Sequence, residues 1–171
     1  MKDSRTNTKT VLLMAVGNSG RGDDGLGWAF ADLAKTFAGD WLDYEYCYQL
    51  QIEGAEQISK YETVIFVDAS QSQLENGFEI KPCNAANHYF FSSHVQSPQT
   101  ILYLAMDLYR KKPEAYTLAI QGNDWELKTS LSQEAIKNLH LAFDFFVQEF
   151  LPTLNPWKRN SPIRWASEKY S

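Results

Sequence analysis

Val11 to Val16 is an unbroken apolar run that Gly17 stops. A run of that length with no polar alternation reads as a strand buried on both faces, the kind found in parallel sheets covered by helices. It is the expected central strand. The segment after it constrains the chain further: Gly17-Asn18-Ser19-Gly20-Arg21-Gly22-Asp23-Asp24-Gly25-Leu26-Gly27 sets five glycines around two adjacent carboxylates. Glycine tolerates positive φ and close backbone approach, so the chain can turn sharply here and present Asp23 or Asp24 to a ligand. Strand-to-helix loops at the carboxyl ends of strands are where open α/β sheets bind their ligands.

Alternation of strands and helices continues along the chain. Leu26, Ala29, Phe30, Leu33 and Phe37 recur at helical spacing after the acidic pair, and Gly39 closes that helix. Tyr44 to Leu50 and Thr63 to Val67 read as further strands, the second delivering Asp68 at its end, with a helical turn from Glu53 to Ser59 between them. Phe78 to Ile80 reads as a short edge strand, and Pro82 to Ser93 as loop or irregular strand. Ser97-Pro98 is a helix start, serine as N-cap and proline at the first helical position, and Pro113 is the expected stop. Tyr116 to Ile120 reads as a strand. Ser130-Leu131-Ser132-Gln133 opens a last helix, with a capping box, whose apolar stripe runs from Leu131 to Phe150 until Pro152 stops it. The expected fold class is α/β: a three-layer sandwich, a mostly parallel twisted sheet with helices on both faces. A single α/β domain is expected over residues 1–151, with 152–171 as a C-terminal extension.

Charge and cysteine usage exclude several function classes. The chain is 44% hydrophobic and carries a formal charge of -5. Lys158, Arg159, Arg164 and Lys169 against Glu168 give the segment after Leu151 a charge of +3 and leave -8 on the rest. An acidic body lacks the basic face that nonspecific nucleic-acid binding needs. Cys47 and Cys83 form no CxxC pair, so neither a zinc knuckle nor a disulfide framework is indicated, and buried free thiols in a reducing cytoplasm are expected. The polar start of the chain and the short run after it make neither a signal-peptide core nor a membrane span.

Asp24, Asp68 and His94 each fall just after, or in a loop between, expected elements. Two oxygen ligands and one nitrogen suit an open site for a divalent transition metal, with positions left for water or substrate. The plainer roles are a helix N-cap for Asp24, a turn acceptor for Asp68 and a helix-entry hydrogen bond for His94. His88 is a substitute for His94, while His140 belongs to the surface of the last helix. Gln49 and Glu53 are placed to line a groove. No serine or cysteine nucleophile with a partner base is apparent, and the His-Glu-x-x-His motif is absent.

The glycine loop Gly17–Gly27, the strand end Val67-Asp68-Ala69, and Ser92-Ser93-His94 followed by Ser97-Pro98 resemble, in order and spacing, the hydrogenase maturation endopeptidases. Leu118-Ala119-Ile120-Gln121-Gly122 and the final amphipathic helix extend the resemblance over most of residues 11–150. The resemblance implies a cytoplasmic protease that cuts the C-terminal extension from the precursor of the nickel-iron hydrogenase large subunit once nickel is inserted. It implies Asp24, Asp68 and His94 as the catalytic, nickel-contacting trio, with nickel carried by the substrate or another divalent metal held by the isolated protein. Asn18, Arg21 and Asp23 are then the candidate substrate-binding residues. Two alternatives stand beside this reading: a metal-dependent phosphohydrolase, whose loop lacks the Gly-Lys-Ser/Thr ending of a P-loop, and a noncatalytic hydrogenase assembly chaperone.

Overall fold

The computed structural model describes residues 9–89 and 95–154. Five strands, β1 (Lys9–Val16), β2 (Leu42–Cys47), β3 (Tyr61–Ser70), β4 (Phe78–Pro82) and β5 (Glu114–Gln121), form one sheet in the order β2-β1-β3-β5-β4. All neighbours pair in parallel except β4, an antiparallel edge strand against β5. Four α-helices, α1 (Leu26–Phe37), α2 (Gly54–Ile58), α3 (Pro98–Tyr109) and α4 (Gln133–Phe145), cover the two faces. The three-layer sandwich expected from the alternation is the observed architecture. No helix among the described residues is long and apolar enough to cross a membrane.

The side-chain alternation of a strand assigns each layer. Val11, Leu13 and Ala15 of β1 join Ile65, Val67, Leu118 and Ile120 beneath α1 and α4. Leu12, Met14 and Val16 join Val64 and Phe66 beneath α2 and α3. Phe30 anchors the first layer, its ring edge-on to Phe143 at 5.8 Å and to Phe146 at 5.0 Å. Full burial of such a ring is worth about 2–3 kcal/mol.

Several expected boundaries shift. The central strand is β3, not β1: Thr63 to Val67 is an equally continuous buried run, and β5 and β4 extend the sheet beyond it. β2 starts at Leu42 and ends at Cys47 rather than Leu50, since its partner β1 stops at Val16, opposite Cys47; the Cys47 carbonyl takes the last bond from Gly17 N at 3.0 Å and a second from Trp28 Nε1 at 3.2 Å. α3 starts as expected, Ser97 Oγ accepting from Thr100 N at 3.1 Å, but ends at Tyr109, where Arg110 enters the left-handed region at φ 55° before Pro113 is reached. α4 is capped by Ser132, whose Oγ accepts from Ala135 N at 3.1 Å, so the Ser130–Gln133 capping box does not form. After Phe145 the helix widens into a π-turn, Phe146–Phe150, and a 3-10 turn, Leu151–Thr153. Leu151 and Leu154 are 0% and 1% exposed within the α1/α4 layer. The domain therefore runs at least to Leu154, past the boundary expected at residue 151.

Candidate active site

The strand order changes direction between β1 and β3: the chain leaves β1 for β2 on one side, then returns to β3 on the other. Connections diverge at such a switch point and leave a crevice beyond the carboxyl ends of the two strands. Here that crevice is a cavity of about 260 Å³. Val16 and Gly17 at the end of β1, Phe66 and Asp68 on β3, and Thr117 to Ala119 on β5 line it. Tyr48, Gln49 and Leu50 close one side, and Val95, Gln96 and Pro98 another. Asp24 reaches in from the glycine loop, so the structure brings Asp24 and Asp68 to one cavity.

Two glycines make this arrangement possible. Gly17 has φ 140°, and a Cβ there would stand 2.0 Å from the Asp24 carbonyl oxygen, so the loop doubles back onto the strand end only without a side chain. Gly27 lies against β1 and β3, where a Cβ would meet Val16 O at 2.4 Å and Val67 O at 2.7 Å. The loop between them closes on itself: Asn18 N donates to Asp24 O at 3.1 Å, Gly20 N to Asn18 Oδ1 at 2.9 Å, and Asp24 N to Arg21 O at 3.1 Å. A 3-10 turn, Gly22–Gly25, then leads directly into α1.

The two aspartates of the loop have opposite environments. Asp24 is half-buried on the cavity; desolvation raises its pKa, opposed by the Arg21 guanidinium and the Asn18 amide. Asp23 is 0% exposed and faces away, toward the segment between β5 and α4. Its Oδ2 accepts from Asn123 N at 2.7 Å, Asp124 N at 2.9 Å and Ser132 Oγ at 2.7 Å, and its Oδ1 from Ser132 N at 2.7 Å. Burial alone would raise its pKa, but these donors outweigh it and hold the carboxyl below the usual range. Asp23 is therefore a structural brace, and its expected role in substrate binding is corrected: both oxygens are taken and no surface is left for a ligand.

Asp68 follows the buried stretch of β3 and is open to solvent on its cavity side, with protein around the rest. Desolvation pushes its carboxyl up to about 7, with the Asp24 charge adding to the rise and the hydrogen bond from its neighbour Ala69 N, 2.8 Å to Oδ1, opposing it. Two carboxylates on one concave surface, one of them reluctant to ionise, fit a divalent cation that would relieve both the burial and the repulsion. Among the described residues no three His, Cys, Asp or Glu side chains are gathered to hold a metal ion. His94, the expected third member, lies outside the described residues. Its chain neighbours Val95 and Gln96 line the cavity, and Gln96 N donates to Leu50 O at 3.0 Å.

Arg21 is exposed beside Asp24. Asn18 is half-buried, and its side-chain oxygen is committed to the loop through Gly20. His88 and His140 are both exposed, and neither lines the cavity. Gln49 does line it, whereas Glu53 lines a second cavity next to it. Tyr48 escaped the sequence-level search. Its signal was an aromatic residue immediately after a strand end, in the same position relative to β2 as Gly17 is to β1.

No protein-family model matches the chain, and no curated protein matches it by sequence. Solved structures do match. A [NiFe] hydrogenase maturation protease HycI from Thermococcus kodakarensis KOD1 superposes with a TM-score of 0.65 at 18% identity, covering 84% of this chain and 94% of that one. The hydrogenase maturating endopeptidase HybD from E. coli gives a TM-score of 0.63 at 14% identity, over 79% of this chain and 88% of that one. The hydrogenase 2 maturation peptidase from Thaumarchaeota archaeon SCGC_AB-539-E09 gives 0.60 at 20% identity, over 83% and 99%. The fold is the one that these maturation peptidases have.

Proposed function

We propose that the chain is an endopeptidase of hydrogenase maturation, removing the C-terminal extension of the precursor of the nickel-iron hydrogenase large subunit. The observation that carries this reading is the meeting of Asp24 and Asp68 in one cavity at the β1/β3 switch point, in a fold shared with solved hydrogenase maturation peptidases. Asp24, Asp68 and His94 are the proposed nickel-contacting trio, and nickel is taken to arrive with the substrate. Carboxylate oxygen and imidazole nitrogen are ligands that nickel accepts, so a metal-loaded precursor is gripped and an empty one is not. A different divalent metal in the isolated protein would use the same two carboxylates.

The chain's own residues supply the rest. Burial pushes the Asp68 carboxyl up to about 7, so it would give up its proton on meeting the metal-loaded precursor. Burial raises the Asp24 carboxyl, the Arg21 guanidinium opposes that rise, and Arg21 itself is exposed and able to anchor a substrate carboxylate. The apolar walls, Val16, Leu50 and Phe66, limit water around the site. The reaction would take place in the cytoplasm.

The test is cleavage of unprocessed, nickel-loaded large subunit by the purified protein, with a nickel-free precursor as control, followed by intact mass. Loss of the extension from the loaded precursor alone is the expected result. Equal cleavage of both would remove nickel recognition from the reading, and no cleavage of a competent precursor would overturn the protease.

A further inference from the structure

β4 ends one side of the sheet, and no other strand among the described residues lies beyond it. Its register with β5 decides which of its backbone groups face outward. Gln121 N donates to Gly77 O at 2.9 Å and Cys83 N to Ala115 O at 2.8 Å, just outside the ladder Phe78–Pro82. Antiparallel bonds alternate along a strand, so Glu79 and Lys81 bond β5, while Phe78 and Ile80 turn both N–H and C=O outward. Pro82 turns only its carbonyl outward, so its missing N–H removes nothing from the pairing with β5. Beside this edge runs a groove of about 790 Å³ between β4 and α4, larger than the Asp24–Asp68 cavity. Leu141 and Phe145 line its helical wall at 44% and 38% exposure, with Phe78 and Ile80 on the strand side. An open edge next to exposed apolar side chains is a pairing surface.

We propose that β4 is a self-pairing edge, joining two copies of this chain across a two-fold axis at Ile80 into one continuous sheet. The occupant is a second copy because the strand is complementary to itself. Laid antiparallel on its own image, Phe78-Glu79-Ile80-Lys81-Pro82 sets Glu79 opposite Lys81 and Lys81 opposite Glu79. Those pairs fall where the two strands exchange no hydrogen bonds, the closer of the two antiparallel spacings, so the charges meet. Lys81 already reaches Glu79 of its own strand, Nζ to Oε2 at 3.1 Å, and a second copy turns the two pairs into a ring of alternating charge. The backbone agrees with the side chains. Ile80 exchanges both bonds with its counterpart, and each Phe78 N–H meets the Pro82 carbonyl of the other copy, leaving the Phe78 carbonyls to water. Lysine and proline at an edge discourage pairing with unrelated strands, and this register accommodates both. On the helical side the same axis merges the two grooves, drawing Leu141 and Phe145 of each copy out of water. The Asp24–Asp68 cavities then point to opposite ends of the joined sheet, so both stay open.

The test is sedimentation equilibrium of the full chain over about a hundredfold range of concentration up to about 100 μM, the regime of weak self-association. The wild type is expected to pass from monomer to dimer. Glu79→Lys and Lys81→Glu, both at exposed positions, should each weaken the dimer about tenfold by setting like charges face to face. An equimolar mixture of the two variants should associate about as tightly as the wild type, because each copy then meets its opposite. Recovery on mixing is a result that a general effect of net charge or of misfolding does not give, and thermal unfolding of each variant checks that the fold is kept. A wild type that stays monomeric overturns the proposal and leaves the edge to a strand of another protein. A dimer that ignores both variants, or that mixing fails to restore, overturns it by placing the contact on another face. The proposal does not rest on the proteolytic reading: precursor cleavage per copy is expected to be the same for the wild type and both variants.

Discussion

Ser132 donates to Asp23 twice, from its amide to Oδ1 and from its hydroxyl to Oδ2, each at 2.7 Å, while the same hydroxyl accepts from Ala135 N at the start of α4. One serine thus caps a helix and fastens that helix to the loop carrying Asp24. The glycine loop and α4 are otherwise distant in sequence, and Asp23 is where they meet. Neighbouring backbone bonds, Asp23 N to Asp124 O and Gly22 N to Lys128 O, both 2.7 Å, complete the seam.

Ser132→Ala removes the cap and one of the four donors to Asp23, and a loss of about 1–2 kcal/mol in urea unfolding is expected. Asp23→Asn sets an amide N–H₂, itself a donor, against N–H and O–H donors that bond to a carboxylate oxygen in the wild type, and a loss of about 2–3 kcal/mol is expected. The double variant should lose less than the sum of the two, since both act on the same bonds. Strict additivity would mean that the two residues do not cooperate.

Asp24→Asn and Asp23→Asn should separate chemistry from structure although the residues are adjacent. Asp24→Asn removes a carboxylate that burial already disfavours, so stability holds or rises slightly while precursor cleavage is lost. Asp23→Asn should show the opposite balance, with cleavage per folded molecule largely kept. Intact-mass kinetics alongside thermal unfolding measures both.

The raised carboxyl of Asp68 sets a pH dependence with a definite sign. With its folded pKa near 7, above the usual value of about 4, the protonated form is favoured by folding. Stability from this group is full below about pH 4 and is lost as pH rises to about 7. Asp68→Asn should therefore match the wild type at pH 4 and exceed it at pH 8 by about 1 kcal/mol, the full shift being discounted because the residue is open to solvent. Denaturant titrations at the two pH values test it. A variant less stable than wild type at pH 8 would contradict the assignment.

Gly17→Ala places a methyl 2.0 Å from the Asp24 carbonyl at φ 140°. The loop cannot keep its path, and a loss of more than about 3 kcal/mol is expected together with loss of cleavage. A near-native melting temperature for this variant would show that the loop does not close as described.

Much of the frame was legible in the sequence because its signals are local. The apolar runs of β1 and β3, the Ser97-Pro98 start of α3 and the helical stripe of α4 each follow from side chains a few residues apart. Asp24 could be nominated from the glycine loop that follows one expected buried strand, and Asp68 because it ends another. The order of strands was not legible: Val11–Val16 and Thr63–Val67 are equally apolar, and only pairing partners far along the chain make β3 central. The division of labour between Asp23 and Asp24 was hidden for a similar reason. The donors that claim Asp23 come from residues 123, 124 and 132, and nothing within the loop distinguishes the two carboxylates. Ser132 rather than Ser130 caps α4 because Ser132 also binds Asp23, a constraint absent from the local motif.

Leu154 is 1% exposed in the layer beneath α1 and α4, beyond the point where helical periodicity runs out. A stop codon after Leu151 would thus act as a core lesion, leaving a leucine-sized void of the kind that costs about 3–5 kcal/mol. Such a lesion lies far in sequence from the glycine loop and need not alter the Asp24–Asp68 cavity at all. In a cell it would show as scarcity rather than as a catalytic defect: less of the protein would survive quality control, each surviving molecule being competent.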